Sequence, residues 1–194
     1  PGEKKIIGYS TKNSGGVPSN FKNYFVITFD KPFLISYTWH DSVLEKNNLE
    51  LRSDHSGAIV GFKTNKGENI NAKIASSFIS PDQAELNLKN EIGNDSFEAT
   101  KQKSKATWNK VLSAVKVEGG SDEQMATFYS CLYRAVCFPQ KLYEIDSKGS
   151  IVHSRHYNGK VLQGYMYAGP GFWDTFRALF PFLNFLYPSV IKEL

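Results

Sequence analysis

The order of segments predicts a β-then-α chain, with strands up to Ser80 and helices after it. Runs of β-branched and aromatic residues fill the first part, as strands do. At Ser80-Pro81 the pattern changes, because Ser80 can cap a helix whose first residue is Pro81. Beyond it, apolar residues fall at helical spacing. No βαβ alternation is visible, so the layers are segregated or form two domains.

Ile6-Ile7-Gly8-Tyr9 reads as a short strand, and Ser14 to Asn20 as a loop by its Gly, Pro and Ser content. Tyr24 to Phe29 is the next strand, Asp30-Lys31-Pro32 a turn, and Phe33 to Trp39 extended again. Ala58 to Thr64 and Asn69 to Ile79 read as a hairpin around Lys66-Gly67. In its second arm Ile70, Ala72 and Ile74 share one face, the period of a half-buried strand. A helix from Pro81 runs to Gly93-Asn94, and Asp95 caps a second through Ala114, with Phe97, Trp108, Val111 and Leu112 as its apolar side. Val115 to Glu118 reads as a return strand. Ser121 with Gln124 three residues later is a capping box that opens a third helix to about Cys137. That helix reads as buried and apolar nearly all round. Residues 140–171 read as one long connection, and Phe172 to Tyr187 as a fourth helix.

The 194 residues are 41% hydrophobic and 22% charged, which excludes a disordered chain, a collagen-like one and a coiled-coil rod. Net charge is +4, and Lys101, Lys103 and Lys105 would spread over more than one helix face, so no nucleic-acid footprint is expected. The apolar segment Phe172 to Val190 is interrupted by Asp174, Arg177, Pro181, Asn184 and Pro188, so no membrane-spanning helix is expected. Cys131 and Cys137 lie six apart on a helix. That spacing is about 9 Å of rise, beyond the ~7 Å a disulfide spans, which predicts two separate buried thiols. The chain opens on Pro1-Gly2-Glu3-Lys4-Lys5, with neither a start methionine nor a signal peptide, and reads as a piece of a longer protein.

No phosphate-binding loop or dinucleotide fingerprint is present. His153 and His156 lack a third ligand and read as surface histidines in a loop, not a zinc site. Glu144, Asp146 and Asp174 are candidate carboxylates by position alone. The densest chemistry is Gly169-Pro170-Gly171-Phe172-Trp173-Asp174-Thr175-Phe176-Arg177. Here a glycine-rich turn delivers an indole and a carboxylate to the tip of a helix. The indole offers a flat face to a pyranose, and the carboxylate can accept from two adjacent hydroxyls. The other reading is a helix-end charge paired with Arg177 at i+3, and a tryptophan in the core.

These residues resemble glycoside hydrolase family 92, the calcium-dependent exo-acting α-mannosidases. The resemblance rests on Phe128-Tyr129…Leu132-Tyr133…Pro139, Asp146-Ser147-Lys148-Gly149 and, most specifically, Trp173-Asp174-Thr175-Phe176-Arg177…Pro181. Upstream, Ile7-Gly8-Tyr9, Tyr24-Phe25-Val26…Phe33 and Ser77-Phe78-Ile79-Ser80…Asn87-Leu88 agree. Phe180 before Pro181 and the Ser147-Lys148 pair depart from the family pattern.

The resemblance implies part of an N-terminal β-sandwich (1–80), linking helices (81–120), and the first helices of an incomplete (α/α)6 barrel (121–194). It implies an α-mannosidase acting with inversion on terminal, α-1,2-linked mannose of glycans, secreted, periplasmic or at the cell surface. It places Trp173 and Asp174 in the pocket for the terminal mannose, with Arg177 as their support. The catalytic acid and base and the calcium ligands are expected downstream of Leu194, so no catalytic or metal residue is assigned here and the fragment alone is expected to be inactive. The alternative is a noncatalytic carbohydrate-binding protein on the same scaffold.

Overall fold

The computed structural model describes residues 2, 4–12, 18, 20–46, 48–169, 171, 173 and 175–194. The expected loop at Ser14 to Asn20 falls largely outside them, as do Pro170, Phe172 and Asp174.

Two antiparallel three-stranded sheets build the β part. One has the order β1 (Lys5–Ser10), β2 (Asn23–Phe29), β6 (Ala72–Ser77); the other is β4 (Val43–Glu45), β3 (Ile35–His40), β5 (Ser56–Gly61). Phe29 at the end of β2, Phe33 beyond the turn and Phe62 after β5 pack ring against ring, with centroids 5.2–5.6 Å apart, and tie the sheets together. Such aromatic packing adds to plain area burial.

The expected hairpin is therefore not a hairpin. β5 pairs with β3, and β6 pairs with β2. The Lys66-Gly67 turn lies on a crossing between sheets. The crossing is pinned by Asp30, whose N–H donates to the Asn71 carbonyl and whose Oδ2 accepts from Asn71 Nδ2 at 2.6 Å. The period of two in β6 is real, but the covered side carries Lys73, Ala75 and Ser77, while Ile74 is 60% exposed.

Helix α1 (Pro81–Glu91) causes that inversion. It lies on this side of the β1-β2-β6 sheet and buries Ala84 and Gln83, with Val26 and Ser77 buried on the strands. Ser80 caps it, accepting from Gln83 N as expected. Lys73 donates to the Gly93 carbonyl just past its end.

α2 (Phe97–Leu112) is capped by Ser96, not Asp95. Asp95 instead closes the preceding turn through its N–H and pairs with Lys103. α2 buries no residue, so its expected apolar side is only partly covered. Val115 to Glu118 forms no strand; the Val115 carbonyl accepts from the Tyr129 hydroxyl. α3 (Asp122–Val136) has the full capping box, with Ser121 and Gln124 bonding each other's backbone. It buries Leu132 alone, and Tyr133 stacks 4.6 Å from Trp108. Neither thiol is in a disulfide, but Cys131 is exposed and Cys137 half-buried, since among the described residues α3 buries only Leu132.

Residues 140–171 are not a plain connection. They hold β7 (Gln140–Lys141), β8 (Tyr143–Ile145), β9 (Ile151–Arg155), β10 (Lys160–Gln163) and β11 (Tyr167–Ala168). β8, β9 and β10 form an antiparallel meander, and β11 pairs with β7. The expected fourth helix is broken into a π-helical turn (Thr175–Leu179), α4 (Phe180–Leu186) and α5 (Pro188–Glu193). The π-helical turn runs straight into α4 through Leu179, which is helical at φ −64° and ψ −48°; the break comes at Tyr187, at φ −134° and ψ 60°, and Pro188 sits in the first turn of α5, where proline is tolerated. No helix of the described residues is long and apolar enough to cross a membrane.

Candidate functional site

The Trp173 segment begins where β11 pairs with β7. Gly169 has φ +72°, a left-handed conformation that a side chain would strain, and Phe138 packs 3.5 Å from where its Cβ would sit. Gly171 is also left-handed, with φ +57°. Thr175, 6% exposed, donates through Oγ1 to the Gly171 carbonyl at 3.0 Å and fastens the turn to the helical segment. Sequence reasoning missed this residue, although a hydroxyl four positions past a turn glycine is the signal. The π-helical turn follows at once, a widening often found at functional sites.

Trp173 sits on helical backbone ahead of that turn and is 88% exposed among the residues of this chain. Phe176 and Arg177 are exposed on the turn itself. Asp174 lies outside the described residues. An exposed ring held on a braced backbone can stack on the C–H face of a sugar.

The other two carboxylates have structural partners. Glu144 accepts from the Phe78 N–H at 2.8 Å through Oε1 and from Asn87 Nδ2 at 2.7 Å through Oε2. Asn87 also donates to the Ser76 carbonyl, and Gln83 Nε2 donates to Asn87 Oδ1 and the Ile145 carbonyl. Asp146 Oδ1 accepts from the N–H groups of Lys148 and Ser150, which closes the β8–β9 turn around Gly149. Both side chains are engaged in structural hydrogen bonds.

A cleft of about 320 Å³ lies beside Glu144, between β6, α1 and the β7–β8 segment. A second, of about 410 Å³, is lined by Tyr165, Met166, Tyr167, Phe180 and Ile191. Tyr143, Tyr165 and Tyr167 meet edge to face, at 5.0 and 5.6 Å from Tyr143. Tyr167 donates to Glu193, and burial together with that bond pushes its phenol well above the usual value.

Among the described residues no group of three or more His, Cys, Asp or Glu side chains could hold a metal ion. The oxygens of Glu144 face N–H donors, the wrong surroundings for a hard cation. Among the described residues, the calcium implied by the resemblance finds no fitting donor set.

The chain matches the glycosyl hydrolase family 92 N-terminal domain over residues 1–77 and the glycosyl hydrolase family 92 catalytic domain over residues 83–194. It belongs to glycosyl hydrolase family 92. Among solved structures, it is similar to a family GH92 inverting mannosidase from Bacteroides thetaiotaomicron VPI-5482, at 41% identity and TM-score 0.94, covering 98% of this chain and 26% of that one. A family GH92 α-mannosidase from Bacteroides thetaiotaomicron, solved in complex with mannoimidazole, is 27% identical with TM-score 0.73, over 93% of this chain and 24% of that one. The gh92 family glycosyl hydrolase ccman5, 21% identical with TM-score 0.79, covers 100% of this chain and 27% of its own, and speaks for the fold alone. The family 92 chain thus spans 24–27% of the length of these relatives. No curated protein matches it. Its β-then-α order is that of the family's N-terminal β-sandwich followed by the start of the helical catalytic domain.

Proposed function

We propose that this chain belongs to a glycoside hydrolase that removes terminal α-linked mannose from glycans, with α-1,2 linkages preferred and with inversion. The observation that carries the reading is the 41% identity, over 98% of the chain, to an inverting mannosidase. The exposed Trp173 on its braced turn supports it.

In inversion, one carboxylic acid gives its proton to the leaving glycosidic oxygen while a carboxylate takes a proton from the attacking water on the opposite face. We assign neither role to this chain, since Glu144 and Asp146 are engaged in structural hydrogen bonds. The task of its own residues is to hold the terminal sugar. Trp173 packs on the ring, Asp174 accepts from two neighbouring hydroxyls, and Arg177 orients Asp174. The domains are taken as 1–80, 81–120 and 121–194, with the site facing the space between sandwich and helices. Action outside the cytoplasm suits a glycan substrate.

The test is made in the full-length polypeptide. Trp173→Ala and Asp174→Ala are each expected to lower kcat/KM on α-1,2-mannobiose by about a hundredfold or more, the cost of a misplaced substrate. The melting temperature of each variant is recorded alongside, so that a loss of fold is told from a loss of sugar binding. Proton NMR of the first-formed mannose should show the inverted anomer. Unchanged turnover and unchanged mannose affinity in Asp174→Ala would remove the site assignment. Retained mannose binding without any turnover by the wild type would favour a noncatalytic binding protein.

A further inference from the structure

The two family 92 domains meet at residues 78–82, which neither family model covers. Phe78, the first of these, is held twice by the β8–β10 meander. Its N–H donates to Glu144 on β8. Its ring lies 5.7 Å from the imidazole of His156, at the tip of the β9–β10 hairpin. Phe21 closes the triangle, 5.8 Å from Phe78 and 5.2 Å from His156. Beside it, Asn20 Nδ2 donates to the Tyr157 carbonyl at 2.9 Å, a bond between residues 137 apart in sequence. His156 is thus not the surface histidine the sequence predicts. Its Nδ1 is buried and finds no hydrogen-bond partner.

A ring in that setting is suited to one charge state. Protonation would place a second N–H donor, with a full charge, between two benzene rings and away from water. Burial holds the imidazole below the ordinary histidine value, and His153 adds to the effect. His153 on β9 donates its own Nδ1–H to the Gly164 carbonyl at 2.9 Å. Among the described residues, the rings packed on His156 are those of Phe21 and Phe78. Asn20 presents an amide. Of the charged groups on these elements, Lys22 turns its ammonium over Tyr9 at 5.0 Å, and the Glu144 carboxylate accepts from the Phe78 N–H and Asn87 Nδ2. Arg155 and Lys160 are exposed on the hairpin.

We propose that these contacts form an acid-sensitive latch between the domains: the neutral imidazole of His156 seals the β8–β10 meander onto Phe78 and Phe21, and its protonation releases them. The sign follows from linkage. A folded value below the free one means that the open form binds the proton more readily. Closure is therefore complete above the free histidine value of about 6.5, and weakens as pH falls from there toward the folded value. One proton limits the gain in opening to about tenfold per pH unit across that window.

The test is hydrogen–deuterium exchange of the full-length polypeptide at pH 7.5 and 5.5, corrected for the intrinsic rate, followed in peptides that contain Phe21, Phe78 and His156. Wild type should open up to about tenfold more at pH 5.5 in all three. His156→Phe keeps a ring in the triangle and should stay protected at both pH values. His153→Gln should keep most of the acid response. The proposal is overturned by pH-independent protection in wild type, by an undiminished acid response in His156→Phe, or by its complete loss in His153→Gln. The readout is independent of any mannosidase activity.

Discussion

Glu144 shows how one side chain can be read wrongly from sequence. A carboxylate near an aromatic-rich stretch looks like chemistry, yet both oxygens are taken by Phe78 N–H and the Asn87 amide. Glu144→Ala should destabilise the full-length protein by about 1–3 kcal/mol, because it strands two donors in a half-buried joint. Chemical denaturation would measure it. Asn87→Ala made with it should cost less than the sum of the two single changes, since they share a bond. Sequence could not place Glu144, because its partners lie 57 and 66 residues away. Asp146 was closer to legible, since Asp with Gly three later is turn chemistry. Trp173 was legible as a residue of interest, but not its exposure, which depends on what packs around it.

At the scale of elements, helix starts were the clearest signals, because a cap is written in adjacent residues. Ser80-Pro81 and Ser121 with Gln124 fold as read. Ser121→Ala should cost about 1 kcal/mol, seen as a lower denaturation midpoint at unchanged slope. Strand pairing was the least legible. β5 and β6 look like neighbours across a turn, but each finds a partner from earlier in the chain. The strands β7 to β11 are short, so their periodicity barely registers. Cross-strand packing adds a constraint that pattern reading overlooks. Gly57 lies opposite Trp39, and a Cβ there would come within 2.6 Å of the indole. Gly57→Ala should therefore destabilise by about 1–3 kcal/mol, the cost of pushing a bulky ring aside. The loss should shrink when Trp39 is shortened to Leu.

For the whole molecule, the deciding quantity is surface. The chain exposes 14132 Å², against roughly 9,300 Å² for a compact monomer of its length. Phe176 and Phe185 stand exposed on the last helical segments, with Phe185 at 84%, whereas Leu183 among them is buried. Apolar rings left open at this density need cover. Residues 1–194 produced alone should self-associate, bind a dye that lights up on apolar surface, and elute before the volume of a monomer. A single monomeric peak with a cooperative melt would show that the exposed rings carry no such cost. The β-then-α plan was legible throughout, because segment order survives any error in pairing.

The ring triangle at Phe21, Phe78 and His156 has a practical side. Anyone dissecting the gene would cut between residues 77 and 83, where one family model stops and the next starts. Such a cut leaves each half with a raw wound: Asn20 and Phe21 on one product, Tyr157 and the imidazole on the other. The two halves therefore belong in one polypeptide, and swapping either between paralogues requires carrying its share of that seam.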